Sequence, residues 1–220
     1  MARFRFECVD GGGEPYAVTP TLAFTIRIAE LTGASVHAIA LRCQIRIEPR
    51  RRRYTEAETE RLVDLFGDAS RWSETLQPMQ VATVSAMVSG FTGETDTVVP
   101  VPCSYDLEIA STRYFHALED GSVALLLLFS GTVFVENGTG YTVEQLPWTA
   151  EARYRLPVAV WRDMVERDFP NSGWLRCSRE TLDALARYRS RHALPTWEHT
   201  INALLERSAG GGSVPDTSVR

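Results

Sequence analysis

The longest nearly uninterrupted apolar run in the sequence lies between Val123 and Val135. It falls short of the roughly 20 apolar residues that a membrane-spanning helix needs, and the β-branched and aromatic residues of its second half favour a strand. Because both faces of such a strand are apolar, both must be covered, which places the run at the centre of a fold. Ser130-Gly131 in its middle predicts a bulge or a close backbone approach.

Turn signals on both sides of this run predict an antiparallel meander. Asp120-Gly121 precedes the run and Asn137-Gly138 follows it, and both dipeptides are typical of hairpins. Polar and apolar residues alternate from Val101 to Ile109, and the strand pattern continues to Leu118. We therefore expect one neighbouring strand before the run and a short one, residues 141–146, after it.

Period-two alternation predicts further strands over residues 3–9, 21–31 and 35–48, and we also expect strands over the apolar, small-residue-rich segment 79–88 and over 151–156. The second and third are separated by a Thr32-Gly33 turn, which predicts a hairpin with one wet face. His37 shares the apolar phase of the third strand, so we expect a partly buried histidine. Polar residues from Phe91 to Asp96 predict a turn segment.

Capping signals predict the helices. Thr55 and Glu58 form a capping box ahead of a short helix over residues 56–66. Pro157, Ser178 and Thr196 mark the starts of three helices in the C-terminal third. We therefore expect an α+β fold, with an antiparallel β-sandwich or strongly curved sheet in residues 3–155 and about three helices in 157–207 packed on one face or end. Residues 1–207 are expected to form a single domain, followed by a disordered tail over 208–220.

Composition excludes several kinds of chemistry. All 23 basic side chains are arginines, so Schiff-base chemistry, a lysine general base and a phosphate-loop lysine are absent. No dinucleotide loop, nucleophile elbow or zinc-type cysteine spacing occurs, and we expect no cofactor. The net charge of -5 gives no reason to expect nucleic acid or an anionic membrane as a partner.

The N-terminus and the cysteines indicate a cytoplasmic protein. Residues 1–7 lack the apolar region of a signal peptide. Four dispersed cysteines form no C-x-x-C pair, and Cys43 and Cys103 fall on the apolar phase of predicted strands, where we expect reduced core thiols. No membrane span is predicted.

Three groups of residues are candidates for binding. Trp161, Trp174 and Trp197 could line a ligand groove, although large aromatics at helix boundaries are more often packing anchors. His192, Glu198 and His199 invite a metal hypothesis, but their spacing matches no common zinc site and a polar helix junction is the simpler interpretation. The run Arg50, Arg51, Arg52, Arg53 could meet an acidic partner or be a solvated strand end.

Four segments, residues 35–49, 99–106, 127–134 and 146–161, resemble an uncharacterised bacterial family, a domain of unknown function. The resemblance covers nearly the whole chain except the tail. It implies a gene neighbourhood beside nickel-iron hydrogenase genes in actinobacteria, and it supplies no catalytic residue.

We therefore expect a non-catalytic protein-interaction or assembly accessory protein, linked through the resemblance to a hydrogenase or its maturation. One alternative is a small-molecule-binding protein or enzyme that uses a C-terminal Trp/His/Glu pocket. Another is a holdase-like chaperone, which would need an exposed apolar groove on the sheet.

Overall fold

The computed structural model describes residues 3–103, 109–138, 140–170 and 177–210. Within them the fold is α+β, as predicted, with eight strands in two antiparallel sheets and seven helices. The strands are β1 (Phe4–Gly13), β2 (Thr21–Glu30), β3 (Ser35–Ile47), β4 (Met79–Thr92), β5 (Glu94–Pro102), β6 (Ser122–Glu136), β7 (Tyr141–Gln145) and β8 (Glu151–Pro157). The helices are α1 (Glu56–Arg61), α2 (Val63–Phe66), α3 (Trp72–Thr75), α4 (Ile109–Ala117), α5 (Val158–Asp168), α6 (Arg179–Arg191) and α7 (Trp197–Gly210).

The chain divides into two compact units, Met1–Ser172 and Gly173–Arg220. The first contains both sheets and the whole hydrophobic core. Among the described residues the second contains α6, which begins behind the predicted cap Ser178, and α7, which extends past Ser208 to Gly210. The rest of the predicted tail lies outside the described residues. None of the described helices is long and apolar enough to cross a membrane.

The strand order is β1-β2-β5 in the smaller sheet and β4-β3-β6-β7 in the larger one, with β8 also paired to β6. Thus β6 has β3 on one side and β7 and β8, one after the other, on the other side. The two sheets face each other across the core, where the rings of Phe6 in β1 and Phe129 in β6 stack with centroids 4.5 Å apart. The predicted Asn137-Gly138 hairpin is confirmed as the β6–β7 connection.

The predicted hairpin between the second and third strands is wrong. β2 pairs with β1 and β5, whereas β3 pairs with β4 and β6 in the other sheet. Ile26 and Ile28 of β2 and Ile39 and Leu41 of β3 are almost fully buried. Alternation correctly identified the buried faces, but it does not specify which strand lies beside which.

The strand predicted between Val101 and Leu118 is also wrong over residues 109–117, which form α4. β5 already ends at Pro102, residues 104–108 lie outside the described residues, and α4 follows. The Asp120-Gly121 turn therefore joins a helix, not a strand, to β6. Gly93, at positive φ, connects β4 directly to β5. The turn predicted from Phe91 to Asp96 is therefore mostly strand, and only Gly93 lies between the two strands.

At the centre of the fold, β6 confirms the predicted close backbone approach. Gly131 has φ 149°, and a Cβ at this position would lie 2.1 Å from the carbonyl oxygen of Ala40. No side chain fits there, because β3 passes too close. The inner face of β6, including Leu125 and Leu127, is buried.

The prediction that both faces of β6 are covered is wrong for the face that points away from the smaller sheet. Leu126, Leu128 and Phe134 on this face of β6 are only half-buried. α5, the first of the three predicted C-terminal helices, lies against β1 and β8. The helical spacing of apolar residues in α5 shows that one side of the helix is buried. It does not show which strands that side packs against, because this depends on contacts between distant parts of the chain.

Candidate functional site

The larger sheet has an open outer face, which we define by seven apolar side chains and four arginines. Cross-strand partners of an antiparallel sheet share a face, and the pairing aligns Ala38, Phe134 and Val143 across β3, β6 and β7. In the next row Ala40 lies opposite Met87 of β4. Met87 is 68% exposed and Val143 is 60% exposed. The apolar set is Ala38, Ala40, Met87, Leu126, Leu128, Phe134 and Val143.

The arginines of the outer face lie within and beside this apolar set, since the row of Arg42 and Ser130 separates Leu126 and Leu128 from the other five members. Leu126 lies between Arg46 of β3 and Arg153 of β8. Arg153 forms an ion pair with Glu151 at 2.7 Å, and Arg46 donates a hydrogen bond to the side-chain oxygen of Gln44 at 2.9 Å. The other two arginines are Arg42 and Arg155, for which the described part of the chain contains no ion-pair or hydrogen-bond partner.

His37 lies at the margin of the outer face and is exposed, so the expected partial burial is wrong. The register of β3 against β6 shifts between Val36 and Ala38, and this irregularity reverses the alternation at His37. The His37 ring packs on Tyr141 with centroids 4.3 Å apart, and Nδ1 lies 3.8 Å from Oε1 of Glu136.

A cleft in the first unit is formed by α1, α4, α5 and the turn after α4. It has a volume of about 560 Å³. Its floor is aromatic, since Phe115 of α4 and Trp161 of α5 stack with centroids 4.4 Å apart and an interplanar angle of 14°. Leu118, Val158 and Val165 complete the apolar lining.

Charged side chains border the cleft, and two of them are arginines that cap the C-terminal end of α4. Nη2 of Arg61 donates to Oε1 of Glu119 at 2.7 Å, and its Nη1 donates to the carbonyl of Ala117 at 3.4 Å. Nη2 of Arg162 donates to the carbonyls of Leu118 and Glu119. His116 and Glu166 are the other polar lining residues.

Of the two predicted aromatic candidates that the structure describes, Trp161 lies in the cleft and Trp197 does not. Trp161 is 5% exposed, and its indole Nε1 has no hydrogen-bond partner among the described residues. Trp197 of α7 is 39% exposed and lies under the guanidinium of Arg189 at 4.2 Å. Trp174 lies outside the described residues.

The predicted metal candidates are exposed on the second unit. Nδ1 of His199 lies 2.6 Å from the hydroxyl of Thr196, which also accepts a hydrogen bond from the backbone N–H of His199. His192 ends α6 with its ring against Tyr188, and Glu198 lies in the first turn of α7. No three His, Cys, Asp or Glu side chains in the described ranges are placed to hold a metal ion.

Three of the four arginines in the predicted run bind other groups of the same chain. Arg50 donates to the carbonyls of Ser73 and Leu76, and Arg51 pairs with Glu48. Arg52 is buried against the carboxylate of Glu58, which also accepts hydrogen bonds from the backbone N–H groups of Thr55 and Glu119. Burial opposes ionisation of Glu58, but these contacts hold its pKa below the ordinary value. Arg53 is exposed.

Sequence reasoning missed both surfaces. The outer face could have been suspected from Arg42, Gln44 and Arg46 alternating with apolar residues on β3. On α5, Val158, Trp161, Arg162 and Val165 recur at helical spacing, which indicates one shared face. The opposite wall of the cleft was hidden because α4 was predicted as a strand.

The chain belongs to a family of unknown function, DUF6084, which matches residues 1–212. No curated protein matches it. Solved structures similar to part of the chain include a β-glucosidase from Kluyveromyces marxianus, at 7% identity and a TM-score of 0.26, and β-glucosidase 3B from Thermotoga neapolitana, at 10% and 0.25. The matches cover 70% of this chain but only 15% and 17% of those enzymes, and at these TM-scores they carry no argument about fold or function.

Proposed function

We propose that this DUF6084 protein is a non-catalytic interaction protein that binds another protein through the outer face of its larger sheet. The observation that carries the proposal is the apolar set on that face, in which Met87 and Val143 are mostly exposed. Exposed apolar patches rimmed by polar residues are typical of protein-binding surfaces. An open sheet face also gives a rigid platform, since backbone hydrogen bonds hold every strand beneath it.

Charge specifies the partner further. The whole chain has a formal net charge of -5, yet the outer face contains four arginines, and Arg42 and Arg155 have no intramolecular partner among the described residues. We therefore expect a partner surface on which acidic side chains alternate with apolar ones. Such complementarity orients the complex and speeds association more than it adds affinity.

The resemblance to bacterial proteins encoded beside nickel-iron hydrogenase genes suggests the partner. A hydrogenase component, or a protein of its maturation machinery, is the candidate to test first. The cytoplasm is the proposed compartment, and the four free cysteines, two of them buried, are consistent with reducing conditions.

The decisive experiment compares two exposed valines. Val143→Asp places a charge in the apolar set, whereas Val98→Asp makes the same change on β5 of the other sheet, where the valine is 54% exposed. The partner is captured from the native host with the wild-type chain, and its Kd is then measured with purified proteins. We expect Val143→Asp to weaken binding by about tenfold or more and Val98→Asp to leave it unchanged.

Equal Kd values for the two variants, or no partner captured by the wild-type chain at native expression, would contradict the proposal. The holdase alternative uses the same face and differs in selectivity. It expects the wild-type chain to suppress aggregation of unrelated denatured proteins, with Val143→Asp weakening this effect.

Small-molecule binding is a second candidate function, favoured by the cleft beside Trp161. In this form it uses α4 and α5 rather than the predicted histidines of the C-terminal helices, which are exposed on the second unit.

A further inference from the structure

We propose that the cleft beside Trp161 binds a small carboxylate with an apolar body. The inference rests on the second candidate function and names its ligand class, and it does not depend on the outer face. Its volume of about 560 Å³ falls within the roughly 300–1,000 Å³ of small-molecule pockets. Its lining is divided into an apolar floor and a charged rim, which requires a ligand with two chemically different parts.

The floor suits a flat or branched apolar group. Phe115 is 2% exposed, Trp161 5% and Val158 1%, so the side chains beneath the cleft are fixed by packing. The stacked rings of Phe115 and Trp161 cover each other and leave only a small apolar area open to the cleft. A ligand ring can pack there without reordering the protein, which limits the entropic cost of binding.

The rim has one cation with hydrogen-bonding capacity to spare. Both hydrogen bonds that Arg162 makes to described residues come from Nη2, so Nη1 can donate a charge-assisted hydrogen bond to a ligand carboxylate. Arg61 is already held by the Glu119 carboxylate at 2.7 Å. Glu166 also has an interaction within the chain, so the acidic side chains are engaged.

The indole of Trp161 adds a second, independent observation. Its Nε1 is buried and has no acceptor in the described part of the chain. Buried donors are almost always satisfied by protein or by ordered water, so an acceptor is expected within reach of this indole nitrogen. A ligand oxygen, or a water held by the ligand, would supply it after a small side-chain adjustment.

The test uses phenylacetate, with phenylacetamide as a neutral molecule of the same shape. The full chain is labelled with 5-fluorotryptophan, which gives one fluorine signal for each of its five tryptophans, and the Trp161 signal is assigned with Trp161→Phe. We expect phenylacetate to shift the Trp161 signal saturably with a Kd on the order of 1 mM or tighter. Phenylacetamide should bind at least about tenfold more weakly, because it lacks the charge.

Variants locate the carboxylate. Arg162→Gln should weaken phenylacetate binding at least about tenfold. Arg113→Gln is the matched control, because Arg113 is an exposed arginine of α4 that pairs with Asp64 and does not line the cleft. If Arg162→Gln does not fold, Val165→Phe fills the cleft from α5 and should abolish the shift while leaving Arg162 in place.

The proposal is overturned if the Trp161 signal shows no saturable shift, if the amide binds as well as the acid, or if Arg162→Gln binds like Arg113→Gln. Persistence of the shift in a folded Val165→Phe variant would overturn it equally.

Discussion

Glu30 is a buried carboxylate that fixes the passage of the chain from one sheet to the other. It is 5% exposed and accepts hydrogen bonds from the backbone N–H groups of Thr32 at 2.9 Å, Ala34 at 2.8 Å and Arg3 at 3.3 Å. The Thr32 hydroxyl donates to it at 2.6 Å. Burial alone would raise the pKa of Glu30, but these donors outweigh it and hold the pKa below the ordinary value.

Replacing Glu30 should therefore change how stability depends on pH. Because the pKa of Glu30 is lower in the folded chain than in the unfolded chain, its ionised form stabilises the fold above the unfolded pKa. This contribution disappears as the pH falls through the folded pKa. We expect Glu30→Gln to lower the free energy of unfolding at pH 7, and we expect the gap between variant and wild type to narrow as the pH falls below the ordinary pKa of a glutamate.

Urea unfolding at a series of pH values measures this difference. Glu7→Gln is the control, because Glu7 is exposed on β1 and its variant should follow the wild-type curve. If the free energies of unfolding of Glu30→Gln and wild type differ by the same amount at all pH values, the charge of the carboxylate is not what stabilises this turn.

Gly131 makes the pairing of β6 with β3 possible. A Cβ would lie 2.1 Å from the Ala40 carbonyl oxygen, which is backbone and cannot rotate away. We expect Gly131→Ala to lower the free energy of unfolding by about 3 kcal/mol or to prevent folding. Gly12→Ala is the matched control, because β1 leaves open space at Gly12, and it should change stability by less than about 1 kcal/mol.

Thermal or chemical denaturation compares the two glycine variants. Similar stability of Gly131→Ala and Gly12→Ala would mean that β6 and β3 can separate locally without loss of the fold.

The contrast between β6 and α4 shows how far periodicity can predict an element. The apolar run correctly predicted β6, because its length and β-branched residues left one interpretation. In α4 and directly after it, the buried residues Ser111, Tyr114, Phe115 and Leu118 follow helical spacing. The same segment also fits part of a strand pattern, and only packing against the sheet and α2 decides between them.

The hydrophobic core is confined to the first compact unit. Every residue of the core cluster lies before Ser172, and α6 contains no buried residue. We expect a chain truncated after Ser172 to fold and to unfold cooperatively, with a Tm close to that of the full chain. If residues 1–207 instead form one domain, as the sequence predicts, removing the residues after Ser172 should lower the Tm markedly.

Differential scanning calorimetry of the two chains distinguishes these expectations. Circular dichroism provides the control, since the truncated chain should lose only the helical signal of α6 and α7. An insoluble or non-cooperative truncated chain would support the single-domain prediction.

The sequence by itself determined the fold class, the buried faces of the strands and the starts of the helices after Thr55 and Ser178. These are local properties, because alternation and capping depend on residues within a few positions of one another. Only the tertiary structure decided that β2 and β3 separate into different sheets, that α5 leaves the outer face open, and that Arg162 meets the end of α4. Each of these depends on contacts between distant residues, which a local pattern cannot specify.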